Sequence, residues 1–189
     1  MQKIMFNDRY GLTNAVIEGR KTMTRRLIPD EFFGLTWDTR GNTLVYENEY
    51  GDFIDVRHSK YTRYKLGEVV AVSQCYNDVV QKFTDLAFVP GSTNKMFVRA
   101  DLMPHQIRIT GIRCERLQDI SDEDCVKEGV RVGSQALEYP YYFIDTKQFL
   151  ICDYKSPRRA FAALIDKVSG RGTWDRNPWV VVYEFELVK

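Results

Sequence analysis

Four positive charges fall within seven residues, at Arg20, Lys21, Arg25 and Arg26, interleaved with Thr22, Met23 and Thr24 in the segment GRKTMTRR (Gly19–Arg26). Arginine offers a planar fork of donors, lysine a compact charge and threonine a short hydroxyl, so the set can grip a phosphate or a nucleobase carbonyl. The glycine series of a phosphate-binding P-loop is absent before the lysine. The same residues also describe a solvated basic turn after a helix, and the segment by itself leaves both readings open.

Glu128 is the second candidate. It ends a short predicted helix one residue before Gly129, where the helix dipole disfavours a carboxylate unless a cation lies close. Lys21 would supply that cation, and a lysine beside a carboxylate can relay protons in a hydrolysis. Without such a partner Glu128 reads as a surface residue. Trp174, in the polar stretch RGTWDRNPW with Arg171, can stack on a base or close the edge of the core. His58 and His105 have no ligand spacing with a cysteine or an acid, and the four cysteines (Cys75, Cys114, Cys125, Cys152) form no knuckle, so neither a metal nor another cofactor is expected. Ser73, Ser121 and Ser156 lack the GxSxG setting of an activated serine.

The elements that must position these groups follow from periodicity. MQKIMF reads as a short strand, and Leu12 to Glu18 as a two-turn helix ended by Gly19, from which the basic segment emerges as a loop. Leu27 to Tyr64 suggests hairpins or a long ordered excursion, with alternations at Thr43–Tyr46 and Phe53–Arg57. Leu66 to Cys75 predicts a strand buried on both faces. Lys95 to Ala100 predicts another, with Met96 and Phe97 in the core. Gln106 to Arg116 alternates with a change of phase at Gly111, which predicts a bulge or bend.

Ser121 caps a short acidic-started helix through Lys127 that Gly129 would stop. Ser156 and Pro157 open a longer one, SPRRAFAALIDKV, whose apolar stripe is Ala160, Phe161, Leu164, Ile165 and Val168. PWVVVYEFELV is a strand that turns acidic on one face at Glu184 and Glu186. Five to seven strands with three helices and no regular alternation predict an α+β, barrel-like domain.

With 189 residues, the chain is long enough for one domain with a substantial core, and 44% hydrophobic against 28% charged residues excludes disorder. The net charge of only +1 excludes long-duplex binding by bulk charge, though a balanced total can hide a local basic pocket. Charged residues interrupt the opening segment, and no apolar run approaches the roughly 18 residues of a membrane span. A cytoplasmic protein with reduced thiols and no membrane partner is expected.

Four blocks in order carry a family resemblance: VIEGRKTMTRR (Val16–Arg26), LGEVVAVSQCY (Leu66–Tyr76), IRITGIRCERLQDISDEDCVKEGV (Ile107–Val130) and NPWVVVYEFELV (Asn177–Val188). Together the sequence resembles the ASCH domain family of the PUA-like superfamily, in its longer bacterial or phage-related form. The resemblance implies one ASCH domain over residues 1–189 with insertions at about 27–65, 77–95 and 131–176. It also implies a small curved PUA-like β-barrel with flanking helices, holding RNA, a nucleotide or a modified nucleoside in a basic cleft formed by the GRKTMTRR loop. Some small ASCH proteins are amidohydrolases that deacetylate N4-acetylcytidine, and their lysine, threonine and acidic residue correspond to Lys21, Thr24 and Glu128. Arg20, Lys21, Arg25, Arg26, Arg171 and Trp174 are then the binding candidates. A non-catalytic regulatory or protein-interaction module is the remaining alternative; neither catalysis nor oligomeric state follows from the resemblance.

Overall fold

The computed structural model describes residues 1–29, 34–80, 93–133, 141–145 and 151–188. Residues 30–33, 81–92, 134–140 and 146–150 of the expected insertions lie outside these, as does the side chain of Cys152. Along the chain run β1 (Lys3–Ile4), α1 (Leu12–Ile17), β2 (Met23–Leu27), β3 (Thr36–Asp38), β4 (Thr43–Glu47), β5 (Phe53–Asp55), β6 (Val69–Val72), α2 (Tyr76–Val80) and the long β7 (Gln106–Arg116). Then follow α3 (Asp122–Lys127), β8 (Arg131–Val132), β9 (Tyr142–Ile144), β10 (Ile151–Tyr154), α4 (Pro157–Ser169), α5 (Thr173–Arg176) and β11 (Trp179–Leu187).

Five strands make the main sheet in the order β1-β6-β7-β11-β2, and two three-stranded sheets, β3-β4-β5 and β10-β9-β8, stand apart from it. The fold is α+β as expected, but the expected curved β-barrel is not formed. Closure would need the outer strands β1 and β2 to pair, and among the described residues each pairs only inward, β1 with β6 and β2 with β11. With two residues, β1 offers almost no ladder. A side-chain bond, Arg26 Nη2 to the Met5 carbonyl at 2.7 Å, is what joins the segment after β1 to β2.

The long strand β11 organises the core because both its faces are apolar at the start. Val181, Tyr183 and Phe185 enter one cluster with Ile4, Phe6, Ile107 and Ile109, while Val180 and Val182 enter another with Met23, Phe161 and Cys125. The second cluster fills the space between the sheet and helices α3 and α4. As that face turns acidic, Glu184 and Glu186 take Arg113 and Arg108 as partners. The phase change at Gly111 is a bulge: the register of β7 against β11 passes from Gly111–Glu184 to Ile109–Phe185 and leaves Thr110 unmatched. A Cβ on Gly111 would lie 2.9 Å from Glu184 Oε2.

Both helix caps follow the sequence. Ser121 Oγ accepts from Asp124 N at 3.1 Å, and Ser156 Oγ accepts from Arg159 N at 3.3 Å. Two expectations are corrected. Lys95–Ala100 is not a strand; Lys95 turns inward to Asp8 Oδ1 (2.5 Å), Thr13 Oγ1 and the Phe6 carbonyl, which leaves Met96 and Phe97 62% and 74% exposed instead of in the core. The basic segment is a loop only to Thr22, because Met23–Leu27 pairs in register with Val180–Glu184.

If β11 carries the core this way, Phe185→Ala (4% exposed, ring 5.7 Å from Phe6) is expected to cost about 3–5 kcal/mol in urea unfolding. Leu187→Ala, two residues on along the same face but 39% exposed, is expected to cost about 0.5 kcal/mol or less. Equal losses would refute the placement of the strand.

Candidate functional site

The site is assembled where the end of α1, the start of β2 and the end of α3 meet. Gly19 takes φ of 71°, ending α1 with the left-handed turn a side chain would disfavour. Two backbone bonds then fix the loop: Lys21 N to Ala15 O (2.9 Å) and Thr22 N to Lys127 O (3.0 Å). This places Lys21 directly against Glu128, the residue that caps the end of α3.

Lys21 is 2% exposed, and its Nζ donates to the Met23 carbonyl (2.7 Å), the Glu128 carbonyl (2.8 Å) and Glu128 Oε2 (2.6 Å). Those three acceptors account for every ammonium proton. Glu128, 5% exposed, has its other oxygen bonded by Arg25 Nη1 at 3.0 Å. Gly129 permits this approach: its φ is 108°, and an added Cβ would meet Leu12 at 3.0 Å and Lys21 Cδ at 3.7 Å.

Arg25 is buried at the centre of a larger ionic cluster. Its Nε and Nη2 donate to Glu115 Oε1 (2.9 and 2.7 Å), and Nη2 also reaches Asp124 Oδ2 (3.1 Å). Arg113 closes the group from β7, with Nη2 on Asp124 Oδ2 (2.6 Å) and Nε on Glu115 Oε2 (3.0 Å). Arg25 and Arg113 lie in one row of the sheet, each paired with Val182 of β11. Burial pulls the Lys21 amine below its ordinary basicity, more than Glu128 restores, and Arg26 and Arg25 push it further down. Burial opposes the charge on Arg25 too, but Glu128 and Glu115 outweigh it and hold that group above its usual value.

Lys21, Thr24, Arg26 and Glu128 line one cavity of about 190 Å³, walled on the apolar side by Phe6, Phe161 and Leu164. The Thr24 side chain is buried, and its hydroxyl has no hydrogen-bond partner among the described residues. Arg26 lies 5.8 Å over the Phe6 ring.

The other residues singled out in the sequence are placed elsewhere or otherwise engaged. Arg25 touches the cavity but is held by three carboxylates. Arg20 pairs with Glu18 at 2.6 Å, off the lining. Trp174 sits in α5 behind the wall, edge-on to Phe161 at 6.1 Å with Arg158 at 5.8 Å from its ring. Arg171 is exposed and not part of the lining.

Sequence reasoning missed Arg113, Glu115 and Asp124. The signal was there in spacing: residues two apart on a strand share a face, as Arg113 and Glu115 do, and Asp124 stands one turn before Glu128. Among the described residues no three His, Cys, Asp or Glu side chains are grouped to hold a metal ion, and no helix is long and apolar enough to cross a membrane. Cys75, Cys114 and Cys125 are free and buried, and desolvation chiefly drives the thiols of Cys114 and Cys125 up to about 12.

The cluster gives Asp124 a pH signature. Burial would raise its pKa, but Arg113 and Arg25 outweigh that and hold it below the ordinary 3.8. The contribution to stability is therefore complete above that ordinary value and lost as pH falls through the lower folded one. Urea midpoints measured between about pH 2 and pH 6 should show a flatter acid limb for Asp124→Asn than for the parent. An unchanged acid limb would show that Asp124 is not held by the arginines.

No protein-family model matches the chain, and no curated protein matches it. Among solved structures, the chain has a weak likeness to the ASCH domain from Lactobacillus crispatus JV V101, known from a high-resolution crystal structure, with 13% identity over 99% of this chain and 79% of that one and a TM-score of 0.39.

Proposed function

We propose that the chain binds RNA, or a nucleotide or modified nucleoside, with a base seated in the cavity lined by Lys21, Thr24, Arg26 and Glu128. The observation that carries this reading is a buried ion pair facing a small cavity with aromatic walls. A buried pair of charges is costly to desolvate, and burial beside a cavity is the arrangement in which fixed polar groups recognise a ligand. Phe6 and Phe161 offer apolar surface to a planar ring, Thr24 a free hydroxyl and Glu128 an acceptor. Arg26 adds a positive charge at the side that has no carboxylate partner among the described residues. The cavity is smaller than the roughly 300–1,000 Å³ that encloses a whole drug-sized ligand, so it suits one base with the remainder outside.

A second reading, metal-independent amide hydrolysis of N4-acetylcytidine or a related nucleoside, is favoured by one further observation. The depressed basicity of Lys21 and the unpartnered Thr24 hydroxyl meet in the same cavity. The step requires Lys21 to release one of its three protein acceptors: in its neutral form it then takes a proton from water as the water oxygen attacks the acetyl carbonyl. Glu128 steadies the resulting ammonium, and Thr24 or Arg26 donates to the developing oxyanion. The carbon–nitrogen bond then breaks, Lys21 returns the proton to the leaving cytidine amine, and acetic acid departs and ionises to acetate in water.

Calorimetric titration with cytidine and N4-acetylcytidine, together with chromatography for released cytidine, tests both. Binding of at least one ligand is expected in the parent, weakened about tenfold or more in Lys21→Met. If turnover occurs, Glu128→Gln and Lys21→Met should lower its rate by about 10²–10⁴. Binding without product removes the hydrolase reading alone. Absence of binding by these nucleosides and by single-stranded RNA removes both.

A further inference from the structure

Next to the first cavity lies a second pocket of about 470 Å³, and the two share Met5 and Arg26. Its other charged lining groups are Lys3 and Arg63, its rings include Tyr64 and Tyr183, and among the described residues no carboxylate lines it. Three positive charges around one hollow with no acid among the described residues of its walls contrast sharply with Arg25, one residue away from Arg26, which is surrounded by acids.

The donors here are also unspent. Arg26 gives one N–H to the Met5 carbonyl, and its remaining N–H groups have no acceptor among the described residues. Arg63 is exposed, lies 5.6 Å over the Tyr64 ring, and its guanidinium has no hydrogen-bond partner among the described residues. Tyr183 Oη accepts from the Arg63 backbone N–H at 2.9 Å, which fixes that residue at the rim. Lys3 differs: its ammonium is held by the carbonyls of Met96 (2.8 Å) and Val98 (2.6 Å), so it contributes field and not a free donor. Two open guanidinium forks with a fixed positive charge behind them are the arrangement that takes a phosphate oxygen set.

We infer that this pocket holds a phosphate group of the ligand whose base occupies the first cavity, with Arg26 as the shared wall, so that the chain selects phosphorylated nucleotides or RNA over free nucleosides. The inference rests on the base-binding reading above and adds Arg63 and the ligand class to it. A terminal monophosphate and an internal phosphodiester present the same chemistry to the two arginines.

Affinities are compared calorimetrically for the four common nucleosides, their 5′-monophosphates and a short single-stranded RNA, with inorganic phosphate as a separate probe of thermal stabilisation. At least one monophosphate, or the RNA, should bind about tenfold more tightly than the matching nucleoside. That excess should vanish in Arg63→Gln and persist in Arg159→Gln, which removes the same charge from an exposed position on α4. A greater excess for the RNA than for the monophosphate identifies the phosphodiester as the source, and the reverse identifies the terminal group. Equal affinity of nucleosides and phosphates, or an excess that survives Arg63→Gln, overturns the inference while leaving the base cavity intact. Phosphate stabilisation lost in Arg63→Gln without binding of any nucleoside, monophosphate or RNA leaves an anion pocket alone, and refutes the base cavity and with it the shared ligand. No response to any of these ligands refutes both.

Discussion

The bond between Lys21 and Glu128 is the constraint around which the rest of this site is arranged. A charged lysine that is 2% exposed must place all its ammonium protons in hydrogen bonds or lose its charge, and here the acceptors come from β2 and from the end of α3. Glu128 in turn needs a second donor and finds it in Arg25. Arg25 then needs Glu115 and Asp124, and these bring in Arg113. Each step satisfies a buried charge by importing another, until the network reaches side chains that water can screen. The ionic cluster thus ties α3, β2 and β7 together through polar contacts where the apolar cluster of Met23, Cys125 and Val182 already packs them.

Neighbouring arginines do opposite work because strand side chains alternate. Arg25 and Met23 point toward the α3 side, into carboxylates and the second apolar cluster, whereas Thr24 pairs across to Tyr183 and Arg26 lies over Phe6. Read as a loop, GRKTMTRR is one patch of charge. Folded as an edge strand, it divides into a structural cation and an available one. The distinction follows from the two-residue period of β structure and not from any difference between the two side chains.

Much of the framework was legible in the sequence for reasons that are local. Ser121 and Ser156 announce helix starts through hydroxyls that bond within one turn, and β11 announces itself through its own alternation. Gly111 announces a bulge through a change of phase within one strand. The failures are non-local. Lys95 could not be recognised as the buried residue of its segment, because the groups that receive it, Asp8, Thr13 and the Phe6 carbonyl, lie more than eighty residues earlier. Alternation then assigned Met96 and Phe97 to the core, when they face solvent. Barrel closure failed likewise: it depends on whether β1 and β2 pair, which neither strand encodes alone. Among the candidate site residues, Lys21, Thr24 and Glu128 could be named from motif resemblance. Their acidic and basic supporters Arg113, Glu115 and Asp124 required knowing which faces of β7 and α3 meet.

The pairing of β2 with β11 also sets an order of assembly. More than 150 residues separate Leu27 from its partner Val180, so the inner edge of β2 has no strand to bond until β11 has been synthesised. Contacts of such long sequence separation form late and slowly, because loop closure must be offset before they contribute. Met23 and Arg25 enter their clusters only when β11 carries Val180 and Val182 into place. A nascent chain that has not yet made β11 therefore carries β2 as a basic strand without its ladder partner, and the division of its cations into a structural and an available one waits on that pairing.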